Sequence, residues 1–222
     1  MHITWFHDWA RPTIRYCESN INSWIAQPAN ALSSLLISFA GVYILIRKSH
    51  AYSALLGIIA IILGLASFSY YASFTFAGQL ADLGSMYLLA SIIIIAGLRR
   101  YKFSIKLLVS IGAFGTVCLL TITAILKTIH GFNIGIPLFA LLLTSAIYFE
   151  LGTAKTEKLS LKFFFLAFAA FAVGYIFWWL DYKGMWCSNS TAHYINGHAI
   201  WHLSNAVALL LLDKYYSQIH AK

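Results

Sequence analysis

Seven apolar runs joined by short connections are the feature that most restricts how this chain can fold. Each is close to the roughly 20 residues that an α-helix needs to cross a hydrocarbon core about 30 Å thick. Backbone in lipid must satisfy its own hydrogen bonds, so runs of this length predict helices, and their alternation is too weak for barrel strands. The predicted spans are residues 29–47, 53–74, 79–98, 104–127, 133–151, 161–180 and 196–213.

The composition favours lipid over water as the solvent. Hydrophobic residues make up 60% of the 222 residues and charged residues only 10%, against about a quarter charged in soluble domains. The net charge of +8 could suggest nucleic acid, but the basic residues are spread thinly between apolar runs, which fits membrane topology better. We therefore predict an all-α integral membrane protein with no nucleic-acid partner. It is one domain, residues 1–222, with an outer segment 1–28, a helical bundle 29–213 and a cytoplasmic tail 214–222.

The basic residues divide unevenly between the two sides of the predicted bundle. With seven spans, one side carries Arg47, Lys48, Arg99, Arg100, Lys102, Lys106, Lys155, Lys158, Lys162, Lys214 and Lys222. The other side carries Arg11, Arg15, Lys127 and Lys183. Because the richer side faces the cytoplasm, the N-terminus is predicted outside and the C-terminus in the cytoplasm.

Aromatic residues suggest a structured cap on the outer side. Indole rings favour the membrane–water interface, usually at both faces, yet in this topology all seven tryptophans fall on the outer one. They are Trp5, Trp9, Trp24, Trp178, Trp179, Trp186 and Trp201. The N-terminal segment and the loop between helices 6 and 7 would build this cap.

Two of the three cysteines lie in these outer segments. Cys17 is in the N-terminal segment and Cys187 in the loop between helices 6 and 7, whereas Cys118 is within span 4. If the outer side is an oxidising compartment, a Cys17–Cys187 disulfide would tie the segment to the loop. The alternative is two free thiols.

Five polar residues are predicted at one depth near the outer face. Asp82 is the only acidic residue expected inside the spans, in the first turn of helix 3. Ser67 and Tyr71 at the end of helix 2, and His198 and His202 at the start of helix 7, are each four residues apart and so share a helix face. Two imidazoles so placed suit a shared metal ion. Because polar groups inside a membrane tend to mark function, this layer is the candidate site.

Each residue also has a structural interpretation. The two histidines could be interface residues near a helix start, and Ser67 could bond its own helix backbone. Tyr71 could belong to an aromatic belt, and Asp82 could be a first-turn acid stabilised by the helix dipole. The shared depth of all five favours the functional interpretation.

Three short runs, taken in order, resemble the alkaline ceramidases, a family of seven-helix membrane hydrolases in the superfamily of the adiponectin receptors. The runs are GLASFSYY ending at Tyr71, QLAD ending at Asp82, and HAIWH from His198 to His202. The family has Ser-x-x-x-His on helix 2, an Asp eleven residues after that His and His-x-x-x-His on helix 7, and its three histidines bind zinc. The resemblance implies zinc at His198 and His202, Asp82 as the base that activates water, and Ser67 as a donor to the oxyanion.

The N-terminal runs Tyr16–Asn20 and Gln27–Ser33 resemble the family's opening segment, which carries a calcium site and half of a disulfide. Glu18 and Asn20 keep the family pattern. Arg15 stands where an Asp is expected and Gln27 where a Glu is expected, so calcium is not expected to bind. Arg15 could instead pair with Glu18.

The main departure is Tyr71, which replaces the helix-2 zinc histidine. A phenol must lose a proton of pKa about 10 before it can bind a metal as phenolate. Three outcomes are open: Tyr71 binds zinc; a water, Asp82 or His193 fills the gap; or the site binds metal weakly or not at all.

The sequence therefore predicts a zinc-dependent hydrolase that cleaves the amide of a ceramide-like N-acyl lipid. The alternative is a non-catalytic lipid-binding or sensing protein on the same scaffold. A channel or transporter is weaker, because the spans lack paired broken helices. The expected location is a bacterial inner membrane, with the site towards the periplasmic face.

Overall fold

The computed structural model describes residues 12–47, 51–131, 133–187 and 195–219. These residues form seven α-helices, which confirms the predicted number of helices. They are α1 (Pro28–Arg47), α2 (Ala51–Ser73), α3 (Phe76–Gly97), α4 (Ile105–His130), α5 (Gly135–Glu157), α6 (Lys162–Tyr182) and α7 (Gly197–Tyr216). Short 3₁₀ turns follow α3 (Arg99–Tyr101) and α7 (Ser217–Ile219).

Six of these helices, α1 to α6, are long and apolar enough to cross a membrane. The seventh, α7, is the least apolar of them. It carries both histidines of the candidate site, together with Asn205, Asp213 and Lys214.

The helices pack as an incomplete ring in the order α6, α7, α1, α2, α3, α5, with α4 outside against α3. In the described part of the chain α5 and α6 share few contacts, so the ring is loosest between them. Close packing of α1 on α2 depends on small residues: a Cβ at Gly41 would lie 2.7 Å from the Gly57 carbonyl oxygen. Contacts of this kind let two helix backbones approach when no hydrophobic force favours their association.

The turn between α2 and α3 places the candidate site residues opposite each other. Phe74 adopts a left-handed conformation (φ 47°) and ends α2. Thr75 then caps α3 by accepting a hydrogen bond from the Gly78 N–H at 3.1 Å. The prediction that Asp82 lies in the first turn of helix 3 is wrong, because this cap starts the helix at Phe76 and puts Asp82 in the second turn.

The prediction that Asp82 is the only acidic residue within the spans is also wrong. Glu150, within α5, is 0% exposed, and Asp181, at the end of α6, is 1% exposed. Both are tolerated because hydrogen-bond donors surround them. The Glu150 carboxylate accepts from Arg99 (2.9 Å) and Tyr215 (2.5 Å) at the end of the bundle farthest from Asp82.

Residues 12–27, the N-terminal segment, lie across the end of the bundle where α1, α3, α5 and α7 begin; we call this the site end. The Gln27 N–H donates to the Tyr71 carbonyl at 3.1 Å. The Thr13 N–H donates to Gln79 Oε1 at 2.7 Å. The segment thus covers the last turn of α2 and the first turn of α3.

The disulfide between Cys17 and Cys187 is formed in the structure and ties this segment to the chain that follows α6. The Cys17 N–H also donates to Asp181 Oδ1 at 2.9 Å. Of the seven tryptophans, Trp5 and Trp9 fall outside the described residues, and the other five belong to the site end.

Candidate functional site

Ser67 and Asp82 form the first pair of the site. They lie on facing turns of α2 and α3, and the Ser67 hydroxyl donates a hydrogen bond to Asp82 Oδ1. Ser67 is buried, whereas Asp82 is only half-buried and lines two adjoining cavities. One carboxylate oxygen is therefore fixed by the protein while the group still reaches open space.

Tyr71 and His198 form the second pair, between α2 and α7. The Tyr71 hydroxyl lies 2.6 Å from His198 Nε2, and both side chains are 1% exposed. The other ring nitrogen of His198, Nδ1, is buried and has no partner among the described residues. The hydroxyl of Tyr71 thus occupies the His198 nitrogen that a metal ion would otherwise use.

His202 is held from α1. The Ser33 hydroxyl donates to the Asn30 carbonyl at 3.1 Å and lies 2.8 Å from His202 Nδ1. A hydroxyl that donates to the Asn30 carbonyl can accept an N–H from Nδ1, and in that tautomer Nε2 keeps its lone pair. His202 also lines the larger cavity, so this tautomer would leave Nε2 available to a metal ion.

The structure brings the five predicted residues together at the site end. The ring of Tyr71 is 4.9 Å from that of His198 and 5.4 Å from that of His202, and the two imidazoles are 4.7 Å apart. Asp82 and Tyr71 line both cavities that meet here. The i, i+4 spacing on α2 and α7 and the eleven residues from Tyr71 to Asp82 produce this arrangement.

Sequence reasoning missed Asp181 as a site residue. Its carboxylate accepts the Cys17 N–H at 2.9 Å and the His198 N–H at 3.1 Å. It therefore joins the N-terminal segment to the first turn of α7 and fixes the position of His198. The available signal was an acidic residue immediately after the apolar run 161–180.

Tyr16 was also missed. The centroid of its ring lies 4.2 Å from that of His198 and 5.8 Å from that of Tyr71. Tyr16 therefore covers the site on the side of the N-terminal segment. Burial, and then the negative charge of Asp82, raise the pKa of the Tyr16 phenol. The Tyr16 side chain that covers the site is therefore a neutral phenol at any physiological pH.

A long apolar cavity runs from the site into the bundle. Its upper end is formed by Ser67, Tyr71, Asp82 and His202. Apart from Asn205, the rest is lined by aliphatic and aromatic side chains of α1, α2, α3, α5, α6 and α7. A smaller cavity, of about 80 Å³, lies towards the N-terminal segment and includes Tyr16, Gln79 and Asn133. The polar site thus separates an apolar cavity from a smaller, more polar one.

The N-terminal segment supplies its own donors where the family has calcium ligands. The buried carboxylate of Glu18 accepts the N–H groups of Ala29 (2.9 Å) and Asn30 (2.8 Å). The Gln27 amide donates to the Glu18 carbonyl and to Asn20 Oδ1, both at 2.9 Å. The oxygens that would bind a cation accept hydrogen bonds instead, so these residues do not fit calcium. The proposed Arg15–Glu18 pair stays a prediction.

We expect the thermal unfolding temperature to be the same in millimolar calcium and in EGTA, because hydrogen bonds already satisfy these oxygens. Detergent-solubilised protein followed by intrinsic fluorescence measures this. The matched control is the double variant Arg15→Asp/Gln27→Glu, which returns two carboxylates and should gain a calcium-dependent rise. A drop in the unfolding temperature of the wild-type protein on chelation would contradict the assignment.

The residues present fit zinc through two imidazoles. His202 offers Nε2, with Ser33 holding its other nitrogen. His198 offers the same atom only if Tyr71 gives up its hydrogen bond or its proton. No group of three His, Cys, Asp or Glu side chains in the described part of the chain could hold a metal ion, and His193 lies outside it. Among the described residues and solvent, a third ligand would have to be Tyr71 or a water molecule.

The described residues form seven helices, six of them apolar enough to cross a membrane, with a cluster of polar side chains at the site end above an apolar cavity. A sequence profile of the ceramidase family matches residues 10–221. The chain therefore belongs to the ceramidase family, which confirms the resemblance found in its motifs. Membership of this family implies a hydrolase that acts on the amide bond of a ceramide-like lipid. Comparison with curated proteins gives no match.

Proposed function

We propose that this protein hydrolyses the amide bond of a ceramide-like N-acyl lipid at the site formed by Ser67, Asp82, His198 and His202. The observation that carries the proposal is the position of the Ser67–Asp82 pair at the mouth of the apolar cavity. An N-acyl lipid with its acyl chain in that cavity would present its amide to the polar layer. Release of free fatty acid from an N-acyl sphingoid lipid tests the activity.

Asp82 is the base in this proposal. Its half-buried carboxylate faces both cavities, so it can take a proton from a water molecule at the amide and pass it to the leaving amine. Ser67, which holds one oxygen of Asp82 in the free protein, would donate to the oxygen that gains charge on the carbonyl. The smaller cavity beside Tyr16 would hold the polar part of the lipid.

His198 and His202 would hold the zinc ion, with Tyr71 as the candidate third ligand. When bound, zinc would polarise the amide carbonyl and lower the pKa of a bound water. The protein's contribution is to orient the ligands: Asp181 fixes the backbone at His198, and Ser33 fixes the ring of His202.

One observation favours a second function, a lipid-binding or sensing protein without catalysis. The hydroxyl of Tyr71 is hydrogen-bonded to His198 Nε2. The Tyr71 side chain thus occupies the position where the family has its third zinc-binding imidazole. Retention of Asp82, Ser67 and both α7 histidines favours the hydrolase, because a pure binder has no use for a base beside an oxyanion donor.

The proposed orientation in the membrane has the site end outside, at the periplasmic face of a bacterial inner membrane, and the C-terminus in the cytoplasm. It rests on the sequence, which assigns eleven of the fifteen basic residues to one predicted side of the membrane and four to the other. The Cys17–Cys187 disulfide is consistent with an oxidising compartment at the site end.

We expect wild-type protein purified without chelators to carry zinc that chelators remove easily, and Tyr71→His to bind zinc at least about tenfold more tightly. A neutral imidazole needs no deprotonation, whereas the phenol does. Metal analysis and competition with a zinc-sensitive dye measure both.

His198→Ala and His202→Ala are the controls and should lose the metal. Unchanged zinc occupancy in Tyr71→Phe would exclude Tyr71 as a ligand. If neither the wild-type protein nor Tyr71→His binds zinc, the metal assignment is wrong and the binding function is favoured.

A further inference from the structure

The long cavity has a defined depth. It begins at Asp82 and His202 and ends among Ile93, Phe164 and Leu212. From His202 to Leu212 along α7 the distance is about 15 Å, at a rise of 1.5 Å per residue. This is about half of a 30 Å hydrocarbon core, the depth that the acyl chains of one leaflet fill.

The volume of the cavity indicates room for one hydrocarbon chain. It offers about 100 Å³ to the centres of water molecules. One water needs about 10–15 Å³ by this measure, so the cavity holds roughly seven to ten waters, placed along its length. A single hydrocarbon chain fits such a passage, whereas two chains side by side do not.

Phe164 and Leu212 form the floor of the cavity. Each is 6% exposed, and the ring of Phe164 packs 5.3 Å from that of Tyr215. None of the described residues beyond Leu212 on α7 lines the cavity. An acyl chain that enters from the site therefore meets an aromatic and an aliphatic side chain at its end.

A buried ionic cluster lies directly beneath this floor. Glu150 accepts hydrogen bonds from Tyr215 (2.5 Å) and from Arg99 (2.9 Å), and its carboxylate is one helical turn beyond Ala146, a cavity residue on α5. Hydrocarbon that reached this layer would separate a buried charge pair, which is costly. A hydrocarbon chain therefore cannot extend past the floor without disrupting this charge pair.

We infer that the floor made by Phe164 and Leu212, supported by the Arg99–Glu150 cluster, sets the longest acyl chain that the protein accepts. The inference rests on the proposed function for its ligand, an N-acyl lipid. A passage of this length and volume fits an acyl chain of medium length, so N-lauroyl sphingosine should bind well and N-palmitoyl sphingosine poorly.

The floor can be lowered by Phe164→Ala or, separately, by Leu212→Ala. In these variants the affinity for N-palmitoyl sphingosine relative to N-lauroyl sphingosine should rise about tenfold, because space for several methylenes opens. The matched control is Phe165→Ala, the neighbouring residue, whose side chain is 54% exposed on the outside of α6. It should keep the wild-type ratio.

The cavity can also be shortened by Ala208→Phe, which fills it about midway between His202 and Leu212. The affinity for N-lauroyl relative to N-octanoyl sphingosine should then fall about tenfold or more. Val207→Phe, at the next position but 43% exposed, is the matched control and should leave that ratio unchanged. Thermal unfolding of each variant identifies any that do not fold, and the two floor variants provide independent readings.

Affinities are measured by displacement of a fluorescent N-acyl sphingosine from protein that carries Asp82→Asn, so that no turnover is needed. If the ratios shift as stated but wild-type protein hydrolyses none of the three lipids, the inference stands and the proposed hydrolase falls. If the ratios stay at wild-type values in Ala208→Phe and in both floor variants, or shift equally in the two control variants, the inference is overturned.

Discussion

Asp82→Asn is expected to lower turnover of an N-acyl sphingoid lipid by about 10²–10⁴-fold, the range typical of a general base. The amide that replaces the carboxylate keeps its size and can still accept the Ser67 hydrogen bond. It cannot take a proton from water or return one to the leaving amine. Binding of the lipid should change little, so the loss should appear in kcat and not in KM. Fatty-acid release under single-turnover conditions separates the chemical step from product release.

Asp213→Asn is the matched control for this substitution. Asp213 is also a helical carboxylate that accepts a serine hydrogen bond, from Ser53, but it lies near the far end of α7. Asp213→Asn should therefore turn over the lipid at the wild-type rate. Equal activity of Asp82→Asn and the wild-type protein would remove Asp82 from the chemistry. It would leave the binding function as the better account of a site in which Tyr71 blocks His198.

The positions of the helices could be predicted because the apolar runs are long and charges interrupt them sharply. The ends were less predictable, since a helix starts at its cap and not at the edge of an apolar run. Thr75 starts α3 three residues before the predicted span, and α5 continues to Glu157, six residues beyond residue 151. Hydropathy has no signal for a polar last turn that is stabilised by tertiary contacts.

The site residues on α2, α3 and α7 were predictable from spacing and depth, since i, i+4 pairs near helix ends meet at one layer. Asp181 and Tyr16 could not be found in this way. The role of Asp181 depends on backbone donors of Cys17 and His198, which are distant in sequence. Tyr16 lies in an irregular segment whose path is set by those same contacts and by the disulfide.

Glu150 shows a further limit of sequence reasoning. It fell inside the predicted span 133–151, where a carboxylate is costly unless it is paired. Its partner Arg99 was counted only as one of the basic residues that set the orientation. The structure shows that the two residues form one buried cluster, with an N–O distance of 2.9 Å and side-chain exposures of 6% for Arg99 and 0% for Glu150.

Glu150→Ala is accordingly expected to lower the free energy of unfolding by about 3–5 kcal/mol, because it leaves the Arg99 guanidinium buried without its main partner. Tyr215 would lose its acceptor in the same step. Thermal unfolding in detergent, and denaturant titration where it is reversible, measure the loss. Even a fraction of this cost should make the variant hard to purify at ordinary temperature.

Glu157→Ala is the control that separates burial from charge. Glu157 also accepts a hydrogen bond from Arg99 at 2.9 Å, but its side chain is 31% exposed, so its loss should cost no more than about 1 kcal/mol. The double variant Arg99→Met/Glu150→Met should recover much of the stability, because replacing both partners leaves no buried charge. If Glu150→Ala and Glu157→Ala cost the same, the cluster acts as a surface ion pair. The floor of the cavity would then lack the rigid support on which a limit to acyl-chain length depends.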